Sequence, residues 1–248
     1  MLAIIGGSGL TQLSTLEVTH REIVRTAFGE PSAPLLFGKL RDRDVVFLAR
    51  HGSGHTITPH EVNYRANVFA LHSIGVTRVV SVASVGSIRA DLGPGMIVVR
   101  DQILDYTWGR KHTFFEGSDS AVTHIDFTHP YCDRLRRQCI EAAARAGERC
   151  VEGGVYAATQ GPRLETAAEI NRLERDGADM VGMTGMPEAA LARELGLCYA
   201  TIAVVVNHAA GRASSAEGIH LERVYQVLQE TMVRVRKILE EVVHVDAS

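Results

Sequence analysis

The chain has 248 residues, of which 46% are hydrophobic and 22% are charged, and its formal net charge is −3 at pH 7. These values are typical of a soluble globular protein. The small acidic balance gives no basis for a nucleic-acid or membrane-surface partner. The N-terminal sequence MLAIIGGSGL has no basic leader, so we expect no signal peptide and a cytoplasmic location.

Apolar runs and helical periodicities alternate along the chain. In chain order, the sequence predicts strands at 2–5 and 45–49, a helix at 63–74, strands at 78–83 and 96–99, a helix at 133–146, a strand at 155–159, a helix at 166–175, a strand at 180–182, a helix at 187–195, a strand at 198–206 and a helix at 221–243. This alternation predicts a single α/β domain over residues 1–248, with a short C-terminal tail. We expect a largely buried central sheet with ligand sites at the carboxyl ends of its strands.

The four cysteines are Cys132, Cys139, Cys150 and Cys198. No two of them have the C-x-x-C spacing, and no histidine stands at a zinc-ligand spacing from them. We therefore expect four reduced thiols and no structural metal.

Two predicted strands end in residues suited to an anion. The first runs into the glycine-rich turn IIGGSGL, where backbone N–H groups and the Ser8 hydroxyl could converge on an oxyanion. The second ends in LARHG, where Arg50 offers a planar fork suited to phosphate and His51 offers a further donor. A tight turn and solvated charges would explain the same residues. A dinucleotide-binding motif is excluded because Gln12 stands where Gly or Ala is required.

Three further stretches place polar side chains after strands. SVASVGS could offer backbone N–H groups to an anion or a sugar, or could be a close-packed turn. In TQGPRLET, Glu165 could be a ligand or a first-turn acid. In VGMTGMPE, Met183 could be core filler and Thr184 a helix N-cap. In VVVNHAAG, local sequence favours Asn207 as a turn residue.

The stretches IIGGSGL, LARHG, NYRAN, TQGPRLET, VGMTGMPE and the VVN strand end occur in the order and spacing of one known family. From residue 2 to about residue 240 the chain resembles the trimeric purine nucleoside phosphorylases and methylthioadenosine phosphorylases. The resemblance implies a twisted mixed β-sheet surrounded by helices, and a homotrimer with sites at the subunit boundaries. It also implies attack of inorganic phosphate on C1′ of a nucleoside, which releases a purine and a pentose 1-phosphate without a cofactor or a metal ion.

Carried over position by position, the resemblance implies a site for phosphate and a site for the nucleoside. The phosphate residues would be Ser8, Arg50, His51, Ala83, Ser84 and Thr184. Met183 would pack under the ribose, and Leu164 would make apolar contact with the purine. His124 matches a position that reaches into the 5′ pocket of the neighbouring subunit. His51 and Asn207 are the residues expected to be catalytic.

Three positions indicate a 6-oxopurine. Asn207 and Ala209 stand where adenine-selective members of the family carry aspartates, and Glu165 stands where those members tend to carry serine. A carboxamide can accept from N7–H and also donate to a 6-oxo oxygen, whereas a carboxylate only accepts. Glu165 can accept from N1–H of hypoxanthine. We therefore expect a 6-oxopurine nucleoside as substrate.

The 5′ side leaves two candidates. The likeness of GPRLET and MTGMPEAALARELGL to the branch that acts on S-methyl-5′-thioinosine favours a methylthio group, with Ile219 and Leu221 as apolar wall. His220 falls near the position where the inosine and guanosine branch binds the 5′-hydroxyl, so a hydroxyl nucleoside is the alternative. A non-catalytic nucleoside-binding protein on the same fold is a third candidate, against which the complete phosphate set argues.

Overall fold

The computed structural model describes residues 1–117 and 121–245, which contain one mixed β-sheet and the helices that pack on it. The strands found in these residues are β1 (Leu2–Gly6), β2 (Glu17–Glu22), β3 (Leu35–Leu40), β4 (Arg43–Ala49), β5 (Arg78–Ser87), β6 (Ile97–Val99), β7 (Gln102–Asp105), β8 (Cys150–Glu152), β9 (Val155–Ala158), β10 (Met180–Gly182) and β11 (Cys198–His208). The α-helices found there are α1 (Tyr64–Ser73), α2 (Asp133–Arg145), α3 (Ala167–Arg175), α4 (Glu188–Glu194) and α5 (Leu221–Val245). The short C-terminal tail that we expect lies outside the described residues.

The sheet is centred on β1, β5 and β11, whose residues are nearly all buried. β1 pairs in parallel with β4 and β5, and β5 pairs in parallel with β11 along its whole length. The order β2-β3-β4-β1-β5-β10-β9-β7 runs across the sheet, and β11 connects β5 to β6 and through it to β8. Strands that are covered on both faces need apolar residues at successive positions, so the sequence shows them as continuous runs.

The five predicted helices are confirmed, with ends that differ by one or two residues. The side chain of Asn63 caps α1 by accepting from the N–H of Ala66, and Thr166 and Glu169 form a capping box at α3. The apolar stripe of α5 is buried from position 228 onward, whereas Leu221 at its start is exposed. In the part of the chain that the structure describes, no helix has both the length and the apolar character needed to cross a membrane.

The strand predictions are incomplete in two respects. The strands β2, β3, β7 and β8 are not predicted, and β2 is exposed at every position, so it carries no apolar pattern. β5 and β11 extend further than predicted, to Ser87 and His208. Asn207 therefore lies within a strand, and the interpretation of Asn207 as a turn residue is wrong. A β-bulge between Val205 and Asn207 marks the place.

The expectation of four reduced thiols is also wrong. Cys132 and Cys198 form a disulfide bond, with their Cα atoms 5.1 Å apart and a sequence separation of 66. Cys132 precedes α2 and Cys198 begins β11, and the N–H of Cys132 donates to the carbonyl oxygen of Tyr199 at 2.8 Å. Because tertiary packing alone brings these residues together, no spacing motif could reveal the pair. Cys139 and Cys150 are free.

Candidate active site

A cavity of about 350 Å³ lies at the ends of β1, β4, β5, β10 and β11. This volume is within the range of small-molecule sites. Its lining contains every residue that the sequence analysis places in the site except His124 and His220. The residues after β1, β4, β5 and β11 meet here because the carboxyl ends of these parallel strands share one edge of the sheet.

Arg50 is fully buried at one end of the cavity, where a buried carboxylate holds its guanidinium. Nε donates to Oε2 of Glu188 at 2.7 Å, and Nη2 donates to Oε1 at 2.9 Å. Ser81 and Tyr199 also donate to Oε1, at 2.8 Å and 2.7 Å. Burial by itself lowers the pKa of Arg50 and raises the pKa of Glu188, but their mutual attraction and hydrogen bonds reverse both shifts. Both groups are therefore ionised.

The planar fork of Arg50, which the sequence suggests for phosphate, faces Glu188 instead. Nη2 also donates to the Ser81 hydroxyl at 2.5 Å, and Nη1 donates to the carbonyl oxygen of Val82 at 3.1 Å. Among the described residues, these bonds leave one of the five N–H groups, on Nη1, without an acceptor. Nη1 is 2.8 Å from the point where a β-carbon on Gly7 would stand, so glycine is required there. Arg50 thus offers the cavity one N–H beside the glycine-rich turn.

His51 is buried next to Arg50 and is fixed by the backbone. Its Nδ1 is 2.8 Å from the carbonyl oxygen of Ile57. Because a carbonyl oxygen only accepts, Nδ1 carries the ring proton and Nε2 keeps a lone pair. Burial, and then the charge of Arg50, lower the pKa of His51 to about 4. At neutral pH His51 therefore presents an acceptor to the cavity, in place of the further donor expected from the sequence.

His55 lines the same end of the cavity, and the sequence analysis missed it. Its Nε2 is 3.4 Å from the Ser8 hydroxyl, and its ring centroid is 4.8 Å from that of His51. Burial, and then the charge of Arg50, lower the pKa of His55. The repeated histidine in HGSGH, directly after the apolar run of β4, is the signal that could have identified it.

The middle of the cavity is formed by β5 and by the segment after β10. β10 pairs antiparallel with the end of β5, so the chain that follows β10 returns along β5 toward the buried ion pair. Met183 and Thr184 on this segment line the cavity together with Ala83 and Ser84 of β5. The N-cap residue of α4 is Pro187, so Thr184 is not a helix cap.

Asn207 and Glu165 lie at the other end of the cavity. Asn207 is opposite Gly86 in the pairing of β5 with β11, and its Nδ2 donates to the carbonyl oxygen of His208 at 2.6 Å. This bond leaves Oδ1 and the second N–H of the carboxamide for a ligand. Oε1 of Glu165 accepts from the hydroxyl of Thr159 at 2.7 Å, which leaves Oε2 for a ligand.

Apolar side chains form the remaining wall of the cavity. They are Ile57, Pro59, Leu164, Ala209, Ile219, Leu221 and Val224. Ala209 is buried, whereas Leu164 and Leu221 are 43% and 55% exposed in the single chain. The mouth of the cavity is therefore apolar and only partly covered by this chain.

The structure does not bring His220 and His124 into the cavity of their own chain. His220 is exposed and lines a separate cavity of about 30 Å³, which shares Val206, Asn207 and Val224 with the larger one. His124 is exposed in the irregular segment between β7 and α2.

Strand β5 runs from one end of the cavity to the other. The carbonyl of Val82 accepts from Arg50, and Gly86 lies opposite Asn207. Four residues at about 3.3 Å each place these points about 13 Å apart. In residues 1–117 and 121–245, no group of three or more His, Cys, Asp or Glu is placed to hold a metal ion. The fold and the cavity define a small-molecule site that can bind an anion and a polar ring together.

The chain belongs to the phosphorylase superfamily, whose family model matches residues 1–244. It is 53% identical over 216 residues to a probable S-methyl-5′-thioinosine phosphorylase of Xanthomonas campestris pv. campestris, with 87% of this chain and 86% of that protein covered. It is 47% identical over 215 residues to a probable 6-oxopurine nucleoside phosphorylase of Thermococcus kodakarensis, with 85% and 80% covered. A solved structure of methylthioadenosine phosphorylase from Schistosoma mansoni, in complex with adenine, matches with a TM-score of 0.94 and 36% identity, over 99% of this chain and 91% of that chain. The family and the fold class expected from the sequence are confirmed.

The neutral state of His51 predicts that acid destabilises the fold. Between its ordinary pKa of 6.5 and its folded value of about 4, the unfolded chain binds a proton at His51 that the folded chain does not bind. The contribution of His51 to the free energy of unfolding is therefore complete above pH 6.5. It is lost as the pH falls toward 4, by about 3 kcal/mol in total.

We expect His51→Asn, whose carboxamide N–H can take the place of Nδ1–H toward the carbonyl oxygen of Ile57, to lose this part of the pH dependence and to remain folded. Urea unfolding of both proteins at pH 7 and at about pH 5 measures the difference. The same loss of stability in both proteins would contradict the assignment of a neutral His51.

Proposed function

We propose that this protein catalyses the phosphorolysis of a 6-oxopurine nucleoside, with S-methyl-5′-thioinosine as its substrate. Phosphate and this nucleoside would give hypoxanthine and S-methyl-5-thioribose 1-phosphate. The observation that carries the proposal is the cavity, which has an anion end at Arg50 and His51 and a base end at Asn207 and Glu165, next to Val82 and Gly86 of β5 respectively. The names of the relatives in Xanthomonas campestris and Thermococcus kodakarensis support it.

In the proposed reaction an oxygen of phosphate forms a bond to C1′ while the bond between C1′ and N9 breaks. The electron pair of the broken bond passes into the purine, and a proton taken up at N7 from water neutralises the base, matched by loss of the hydrogenphosphate proton from the pentose 1-phosphate product to water. Because phosphate is itself the nucleophile, the protein has to align the reactants and to stabilise the charge that develops on the base. Oδ1 of Asn207 would accept a hydrogen bond from N7–H.

The anion end would bind phosphate in one protonation state. Its residues would be Ser8, Arg50, His51, Ala83, Ser84 and Thr184. The lone pair on Nε2 of His51 would accept from a P–O–H group, and the free N–H of Arg50 would donate to an unprotonated oxygen. Hydrogenphosphate bound in this way keeps another unprotonated oxygen for attack on C1′.

The choice of base would be made by Asn207 and Glu165. The second N–H of Asn207 donates to a 6-oxo oxygen, and Glu165, which Thr159 holds in place, accepts from N1–H. A 6-aminopurine would set donor against donor at Asn207 and acceptor against acceptor at Glu165. A site of this kind rejects the wrong base strongly, since the wrong base leaves buried polar groups unpaired.

The 5′ side of the cavity favours a methylthio group over a hydroxyl. Ile219, Leu221 and Val224 provide an apolar wall, and His220 lines the separate smaller cavity. The second candidate is a phosphorylase of inosine or guanosine, which the name of the Thermococcus kodakarensis relative supports. A 5′-hydroxyl would need His220 to turn toward the larger cavity.

We further propose that the reaction needs no cofactor and no metal ion, and that inorganic phosphate is its co-substrate. The free purine and the activated pentose phosphate are products that purine salvage can reuse. In this proposal the protein works in the cytoplasm on small molecules, without nucleic acid or membrane as a partner, in keeping with its net charge of −3.

We also propose that the protein is a homotrimer whose subunits complete each other's sites. Several large apolar side chains are exposed in the single chain, among them Leu164 of the cavity wall and Trp108, Phe115 and Val122. Exposed apolar patches of this kind are typical of protein interfaces. Three of these residues lie in the segment that carries His124, which would complete the 5′ pocket of a neighbour.

The proposed function predicts that base release depends on phosphate. Hypoxanthine or adenine release is measured from S-methyl-5′-thioinosine, inosine and S-methyl-5′-thioadenosine, each with and without phosphate. We expect release only with phosphate, and the highest kcat/KM for S-methyl-5′-thioinosine. A preference for inosine would favour the second candidate. Nucleoside binding without turnover would identify a non-catalytic protein and refute the proposed reaction.

A second prediction concerns the choice of base. The Asn207→Asp change removes the donor to the 6-oxo oxygen and also sets an oxygen against the carbonyl of His208. We expect kcat/KM for S-methyl-5′-thioinosine to fall by an amount equivalent to about 2–4 kcal/mol, and kcat/KM for S-methyl-5′-thioadenosine to fall less. The repulsion at His208 affects both nucleosides alike, so the ratio of the two values isolates base recognition.

The matched control for this prediction is Ser84→Ala, on the phosphate and ribose side of the cavity. It should lower kcat/KM for both nucleosides in parallel. If the ratio is the same in Asn207→Asp as in the wild type, Asn207 does not select the base.

The proposed trimer can be followed through the single tryptophan of the chain, Trp108, which is 71% exposed in one subunit. Assembly that covers this side chain should shift its fluorescence to shorter wavelength and protect it from iodide. Sedimentation, fluorescence and activity are measured over one dilution series, and we expect all three to change together. A monomer with full activity would refute the shared site.

A further inference from the structure

Arg110 is a nearly buried cation that none of the proposed reaction steps uses, and it is only 8% exposed. It follows β7, which lies next to β9 in the sheet, and β9 lies next to β10. All three strands run in parallel, so the guanidinium can fold back over the ends of its two neighbours. Its hydrogen-bond acceptors there are neutral carbonyl, amide and hydroxyl oxygens.

One group of these acceptors belongs to the loop that follows β9, residues 159–165. Nη2 of Arg110 donates to the carbonyl oxygens of Thr159 and Gln160 at 3.2 Å and 2.9 Å, and Nε donates to Oε1 of Gln160 at 3.2 Å. Thr159 is also the residue whose hydroxyl donates to Glu165. Arg110 therefore fixes the support of the carboxylate at the base end of the cavity.

The other group of acceptors belongs to the loop that follows β10, residues 183–187. Nη1 of Arg110 donates to the carbonyl oxygens of Met183 and Met186 at 2.8 Å and 2.6 Å. Met183 and its neighbour Thr184 line the cavity, and α4 with Glu188 begins directly after this loop. The same guanidinium therefore also fixes the loop that leads to the anion end.

The chemistry of guanidinium explains why arginine stands here. Beyond the ends of β9 and β10 the carbonyl oxygens have no ladder partner, and buried backbone acceptors require donors. A guanidinium offers five N–H groups in one plane and can reach both loops at once, whereas the ammonium of lysine is a single point. The loops also pack directly, since a β-carbon on Gly161 would stand 2.4 Å from Sδ of Met183.

We propose that Arg110 is a positioning residue that holds the two loops in one arrangement, so that base recognition at Glu165 and phosphate binding at Thr184 are set together. The inference rests on the proposed function, because that function assigns these two residues to opposite ends of one reacting complex. Misplacement of either loop by about 1 Å would be enough to lower the rate about 100-fold.

The deciding variant is Arg110→Lys, which keeps the charge but cannot reach both loops. We expect kcat/KM for S-methyl-5′-thioinosine to fall by about 10- to 100-fold. The KM for phosphate should rise, and the preference for the 6-oxo over the 6-amino nucleoside should shrink, in the same protein. For comparison, Glu165→Gln should shrink the base preference and leave the KM for phosphate unchanged, and Thr184→Val should raise the KM for phosphate and leave the base preference unchanged.

The matched control is Arg136→Lys. Arg136 also donates to backbone carbonyl oxygens, those of Arg100 and Val99 at 2.9 Å and 3.4 Å, but it lies on α2 away from the cavity. This control should keep both the base preference and the KM for phosphate. Guanidinium ions at millimolar concentration should restore part of both properties to Arg110→Ala and should leave both properties of Arg136→Ala unchanged.

Three outcomes would overturn the inference while the wild type is active. The first is an Arg110→Lys enzyme with unchanged kcat/KM, KM for phosphate and base preference, and the second is an enzyme in which only kcat falls. The third is an Arg110→Lys chain that fails to fold, which would assign Arg110 to the stability of the whole domain. Circular dichroism and the thermal midpoint identify the last case. A wild-type protein without phosphorolysis would instead refute the proposed function, and with it this inference, before any variant is made.

Discussion

The buried ion pair between Arg50 and Glu188 joins the elements that make one end of the cavity. Arg50 follows β4 and Glu188 begins α4, while Ser81 of β5 and Tyr199 of β11 donate to the same carboxylate. Two charges removed from water stabilise a fold only when further hydrogen bonds satisfy them, and these two hydroxyls supply such bonds. The same contacts determine which N–H of Arg50 faces the cavity. The N–H that the proposed site offers to phosphate is therefore determined in the core of the domain.

The buried charged side chains around this ion pair include more cations than anions. Among the described residues, Arg50, Arg100 and Arg110 are at least nine-tenths buried, and Glu188 is the only carboxylate buried to that degree. The guanidinium of Arg100 lies 3.8 Å from the ring centroid of Tyr156, whose hydroxyl accepts from the N–H of Thr184 in the cavity wall. In a low-dielectric interior the electrostatic attraction of this excess positive charge extends over several ångströms. It favours an anion in the cavity and fits the hydrogenphosphate of the proposed reaction.

The sequence predicts the residues that line the cavity better than it predicts the partners that fix their positions. Arg50 and His51 could be identified because each follows an apolar run, and a strand end is a local feature. The carboxylate of Glu188 stands 138 residues from Arg50, and the carbonyl acceptors of Arg110 stand 49 to 76 residues from it. Contacts of such long range follow from the complete fold. The edge strand β2 was missed for a related reason, since its pairing with β3 leaves no apolar pattern.

The strand that carries Asn207 can be predicted from the sequence, but the orientation of the Asn207 carboxamide cannot. Val205 pairs with Val85, and a regular ladder would then set Val206 against Gly86, but the bulge sets Asn207 there. Gly86 has no side chain to oppose it, and Nδ2 of Asn207 lies 3.4 Å from the point where a β-carbon would stand. The hydrogen bond from Nδ2 to the carbonyl oxygen of His208 then fixes the orientation of the carboxamide. The apolar run before Asn207 predicts the strand, because a buried strand requires apolar residues. The orientation of the carboxamide depends on the bulge and on one hydrogen bond, and the apolar run indicates neither of them.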